Sequence, residues 1–146
     1  MKLYFDHEKL SVYQVSLAFN EWVDDLLPSI EAKAAAKDQL DRAATSIPLN
    51  IAEGNGKFSK RDRARFFDIA RGSALEAAAS LDVSVSRKLM TSTEVTSAKE
   101  QLVQIVNMLM GLLKGLGCDF KSGTAIVREG ADFSSSFEQE QEQDKE

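Results

Sequence analysis

Five cationic side chains, Lys57, Lys60, Arg61, Arg63 and Arg65, fall within residues 57–65, and Asp62 is the one carboxylate among them. Ser59 stands three positions before Asp62, the spacing of a capping box with Asp in place of the usual Glu or Gln, so a helix is predicted to begin there. Lys60, Arg61, Arg63 and Arg65 then load its first turns. A helix N-terminus is already positive, and each exposed cation there is unfavourable by about 0.3–1 kcal/mol, so stability alone does not place them. An anion is the natural compensation. A nucleic-acid phosphate fits, because free backbone N–H groups and cations converge at the same end. A protein carboxylate fits too, since Glu53 can pair with Arg61 or Arg65 and acidic residues crowd the C-terminus. A plain solvated face is the third reading, and all three stay open at this point.

Little else in the chain offers chemistry. Cys118 and His7 are each the single residue of their type, which argues against an internal disulfide and a histidine metal site. No nucleophile has a histidine partner, "GNGKFSK" lacks the spacing of a P-loop, and the neighbouring carboxylates Asp24 and Asp25 diverge on a helix. No catalytic residue, metal ligand or cofactor is expected, and the chain is predicted not to be an enzyme.

The elements that must position the basic segment are helices. Residues 10–27 carry Val12, Val15, Phe19, Trp22 and Leu26 at the spacing of one helical face, stopping at Pro28. "EAKAAAKDQLDRAATSI" is built of strong helix formers, and Leu40, Ala44, Ile47 and Ile51 keep one phase across Pro48. A proline inside a helix costs about 3 kcal/mol, yet the small Ala44 four residues back lets its carbonyl tilt, so a kinked helix and not a break is predicted. It ends at Gly54, Asn55 and Gly56, which tolerate a left-handed C-cap. A third helix carries Phe67, Ala70, Ala74, Leu81, Val85 and Leu89 on one stripe, and a fourth carries Val95, Ala98, Leu102, Ile105, Leu109, Leu112 and Leu116 before Gly117. Short links make these antiparallel neighbours in an all-α, up-and-down four-helix bundle over residues 1–118.

Residues 119–146 read as a disordered acidic tail, too poor in apolar side chains to offset its ordering entropy. From Lys121 onward there are three basic and seven acidic residues, so most of the net charge of −5 lies there and the body is near neutral. No window resembles a signal peptide or is apolar enough for a bilayer span, which predicts a cytoplasmic protein without a membrane partner.

Two polar and apolar patterns go beyond a plain bundle. Val103, Val106, Met110 and Leu113 form a second apolar stripe on the fourth helix, predicted to be an oligomer interface. Arg42, Ser46, Asn50 and Glu53 form a polar line on the second helix, facing Ser73 and Glu76 on the third. A buried Arg42–Glu76 pair is predicted, with Gly72 allowing a close approach of backbones.

"SIPLNIAEGNG" followed by "FFDIARGSALEA" resembles the four-helix-bundle proteins encoded in intervening sequences of bacterial 23S ribosomal RNA genes, a family similar to the accessory variability determinant of diversity-generating retroelements. The resemblance runs over about residues 8–116 and is densest from Gln39 to Glu76, although "EAKAAAK" lacks the bulky residues usual in that family. It implies a homopentamer of bundles with no enzymatic activity. It also implies RNA, or a nucleoprotein partner of reverse-transcriptase type, as the other component. With the basic segment, the expected function is an oligomeric bundle that binds RNA or such a partner through Lys57, Lys60, Arg61, Arg63 and Arg65. The alternative is a protein-binding scaffold with no nucleic-acid contact.

Overall fold

A computed structural model describes residues 2–26 and 34–118; the predicted stop at Pro28 and the acidic tail at 119–146 lie outside them. A short 3-10 turn at Asp6–Lys9 precedes four helices, α1 (Ser11–Leu26), α2 (Ala34–Gly56), α3 (Lys60–Ser86) and α4 (Ser92–Gly115). Each helix packs on its chain neighbours, most extensively α2 on α3, and α4 closes the ring against α1. This is the antiparallel up-and-down bundle that the spacing predicts.

The core is one cluster drawn from all four helices. Its largest fully buried side chains include Phe19 of α1, Leu40, Ile47 and Ile51 of α2, Phe67 and Leu81 of α3, and Ile105 and Leu109 of α4. Between them lie small residues, Ala44, Ala70, Ala74, Ala77 and Ala98, each with no exposed surface, which lets the helices approach closely. On α1 the buried line is Val12, Ser16, Phe19 and Val23, with Val15, Trp22 and Leu26 at its flank. Ser16 can sit inside because its hydroxyl donates to the Tyr13 carbonyl at 2.6 Å.

α2 runs unbroken through Pro48, which is buried. Proline has no N–H to give the Ala44 carbonyl, the acceptor four residues back. That carbonyl accepts instead from Asn20 Nδ2 of α1 at 2.8 Å. The second Asn20 amide hydrogen goes to the Ser16 carbonyl of its own helix, also at 2.8 Å.

Helix ends are closed by named groups. The Ser59 hydroxyl accepts from the Asp62 N–H at 3.1 Å, the predicted cap of α3. Thr91 caps α4 in the same way through the Glu94 N–H. α4 ends on Gly117 at φ 88°, where the Cys118 N–H reaches the Leu113 carbonyl at 3.1 Å. α3 ends on the same motif with Lys88 in the left-handed position, φ 61°, so Leu89 falls beyond the helix and not on its stripe.

The expected close approach at a glycine moves from α3 to α2. Around Gly72 a Cβ would meet nothing within 4 Å, so no backbone closes on it. The close approach belongs to Gly54, where a Cβ would lie 3.0 Å from Phe66 Cβ and from the Phe67 ring. Opposite outcomes are therefore expected for one chemical change. Gly72→Ala should raise stability by about 0.5–1 kcal/mol through helix propensity. Gly54→Ala should lower it, because overpacking costs about 1–3 kcal/mol. Urea titration of the two variants checks the signs.

Candidate functional site

The α2–α3 turn splits the five cations into two groups. Arg63 is half-buried and folds back onto the end of α2, where Nη1 donates to the Asn55 carbonyl at 3.0 Å and the Lys57 carbonyl at 3.4 Å. Its charge thus sits on the negative end of the α2 dipole and satisfies carbonyls that the helix leaves open. No residue of the Gly-Asn-Gly segment has positive φ. The predicted left-handed cap is replaced by the arginine, so Arg63 has a structural use at the end of α2.

The other cations stay at the surface. Lys57 and Arg65 flank the half-buried Phe66 ring, at 5.0 Å and 5.8 Å from its centroid. Lys57 also lies 3.9 Å from Glu53. That contact replaces the expected pairing of Glu53 with Arg61 or Arg65. Lys60 and Arg61 are exposed and have no ion-pair or hydrogen-bond partner among the described residues. These two bring positive charge into the first turn of α3, where Asp62 is the one carboxylate.

Phe58, a residue that the charge pattern alone passes over, follows Lys57 in the link between the helices at 105% exposure. The N-terminal turn adds Tyr4 and Phe5, 74% and 66% exposed. It is docked at this end of the bundle by Asp6, whose carboxylate accepts from Asn55 Nδ2 at 3.1 Å. Glu8 shapes the turn by accepting from the Phe5 N–H and, at 2.7 Å, the Tyr4 N–H. Those two amides hold the Glu8 carboxyl below the usual carboxylate range.

The polar line between α2 and α3 forms only in part. Asn50 Nδ2 donates to Ser46 Oγ at 2.9 Å, and Ser46 and Ser73 hydroxyls lie 2.8 Å apart. Because Ser73 gives its hydrogen to the Ile69 carbonyl at 3.1 Å, Ser46 is the donor between the two hydroxyls. Arg42 and Glu76 do not meet. Arg42 is exposed and pairs with Asp38 at 3.1 Å, one turn back on its own helix, while Glu76 accepts from Gln39 Nε2. Both bonds are at the surface, so the buried ion pair is corrected to two exposed contacts of little energetic weight.

The second stripe on α4 is corrected as well. Leu113 and Met110 are buried within the chain itself, and Val106 is half-buried against the core, leaving only Val103 exposed. α4 touches both α1 and α3, so an apolar arc wider than one stripe is covered without a second subunit. No group of three or more His, Cys, Asp or Glu among the described residues is arranged to hold a metal ion, and no described helix is long and apolar enough to cross a membrane.

The family model for the 23S rRNA-intervening sequence protein matches residues 8–111. The chain belongs to that family. The match spans all of α1, α2 and α3 and most of α4, including the basic turn and Pro48. Among solved structures, this family member is similar to a protein of unknown function from the S23 ribosomal protein family of Bacteroides thetaiotaomicron. The two share 24% identity over 70% of this chain and 98% of that one, with a TM-score of 0.65, which shows the shared fold. No curated protein gives a significant match.

The division of the basic turn has a direct consequence. Arg63→Gln should lower stability by about 1–2 kcal/mol, because it uncovers the α2 carbonyls. A Lys60→Gln, Arg61→Gln double variant should leave stability unchanged or slightly raised. Thermal melts of the two side by side check the assignment.

Proposed function

We propose that this member of the 23S rRNA-intervening sequence protein family is a non-enzymatic, self-associating cytoplasmic bundle that binds RNA through the α2–α3 turn. The observation that carries the reading is the state of Lys60 and Arg61. They stand exposed and unpaired among the described residues at a helix N-terminus, where positive charge is unfavourable, while neighbouring Arg63 has a structural use. An RNA phosphate supplies the missing anion.

Self-association belongs to the same proposal. Ile69 and Val83, which lie within about 40° of each other around α3, are large apolar side chains left exposed and are where a second copy would pack. A homopentamer, as the family resemblance implies, repeats the basic turn in each subunit. A weak site then acts through avidity on a chain whose net charge is negative.

The test is an RNA titration at low and moderate salt, with subunit number fixed by light scattering. It compares wild type, a variant with Lys57, Lys60, Arg61 and Arg65 changed to Gln, and a chain lacking residues 119–146. The Gln variant should bind more weakly and flatten the log–log salt dependence by about 0.7 per lost single-strand phosphate contact. Removing the acidic segment should strengthen binding. If wild type binds no RNA, or the Gln variant binds equally well, the protein-scaffold reading takes its place.

A further inference from the structure

Phe58 occupies the three-residue link between α2 and α3, and its ring is entirely in water. Nothing in the turn requires a large apolar side chain there. The backbone of Phe58 is not left-handed, and its neighbours Lys57 and Ser59 are polar. An aromatic ring carries roughly 150–250 Å² of surface that binding buries and folding here does not.

The surroundings indicate what would cover it. Asn55, in the last turn of α2, bonds Asp6 and so brings Tyr4 and Phe5 to the end of the bundle that carries Phe58. Three exposed aromatic side chains therefore share one end, with the Phe5 ring stacked on His7 at 5.8 Å and Phe58 wholly free. Cations accompany them: Lys2 lies 5.3 Å from the Tyr4 ring centroid, Lys57 and Arg65 are held against Phe66, and Lys60 and Arg61 are unpaired among the described residues. An exposed ring beside positive charge matches the two surfaces of an unpaired nucleotide, since its base face stacks and its phosphate pairs. A duplex hides its base faces inside its own stack. It would meet the cations and leave Phe58 wet.

We propose that this end of the bundle selects unpaired RNA over duplex, with Phe58 stacking on a base and Lys60 and Arg61 contacting the adjoining phosphates. The proposal rests on the RNA reading above and names the class of RNA.

The experiment uses the full chain, with fluorescence anisotropy of a labelled oligoadenylate and of a perfectly paired hairpin with the same number of phosphates. Phe58 makes no packing contact to lose, so Phe58→Ala should melt as wild type does. Phe58→Ala is expected to weaken single-strand binding by about 5- to 150-fold and to leave hairpin binding within about twofold, while Phe58→Tyr keeps wild-type affinity. The Lys60→Gln, Arg61→Gln variant should weaken both ligands. If Phe58→Ala binds the single strand as wild type does while the Gln variant is impaired, the RNA reading stands and stacking is overturned. If wild type binds neither ligand, both fail.

Discussion

The Ala44 carbonyl is the constraint on which the rest of the bundle depends. Pro48 withdraws its helical partner, and Ala44 is fully buried, so water is not at hand to replace it. A buried acceptor left empty costs about 1–3 kcal/mol, and Asn20 removes that cost by reaching across from α1. The bond also fixes how α1 and α2 lie side by side, because it can form at only one register. The pairing is directional in a way that apolar packing is not, and Asn20 spends both amide hydrogens on it and on Ser16. Pro48, held inside the helix, then fills space in the interior as a compact apolar residue.

From that register α2 continues to Gly56 and delivers its C-terminus beside the start of α3. Gly54 admits the Phe66 and Phe67 side chains against the α2 backbone, and Arg63 covers the exposed carbonyls. The negative end of one helix thus meets a cation from the positive end of the next. This removes one of the five charges from the surface and leaves the others on a short, well-supported corner. The docking of the N-terminal turn by Asp6 on Asn55 uses the same last turn of α2, so the aromatic and cationic groups share one foundation. The corner both turns the chain and presents charge, and different residues do each.

The fold was legible because its signals were long and consistent. The four helices, the Ser59 cap and the unbroken phase across Pro48 survive in the structure, while on α1 the buried line shifts to Ser16 and Val23 and on α3 the stripe loses Leu89. The failures have geometric causes. A row of residues four apart turns by about 40° at each step, so Ser46 and Asn50 face α3 while Arg42 has already turned outward to Asp38. The second stripe on α4 read as surplus because one stripe suffices for one neighbour, yet α4 has two. Gly72 and Gly54 could not be told apart without knowing which face each presents. Asn20 has no spacing to reveal it. Its signal lay in the accounting question that a helical proline raises, namely which donor takes the freed carbonyl. Phe58 was visible only as an apolar residue among polar neighbours in a turn, a feature without periodicity.

The pin between α1 and α2 is tested most directly by a double-mutant cycle of Asn20→Ala and Pro48→Ala, measured by urea unfolding. With Pro48 present, Asn20→Ala should cost about 1–3 kcal/mol. In the Pro48→Ala background the helix regains an N–H for the Ala44 carbonyl, so the same Asn20→Ala change should cost clearly less, giving a coupling of about 0.5–3 kcal/mol. An equal cost in both backgrounds would mean that Asn20 does not serve the carbonyl that the proline frees, and the account of how α1 is registered on α2 would be contradicted.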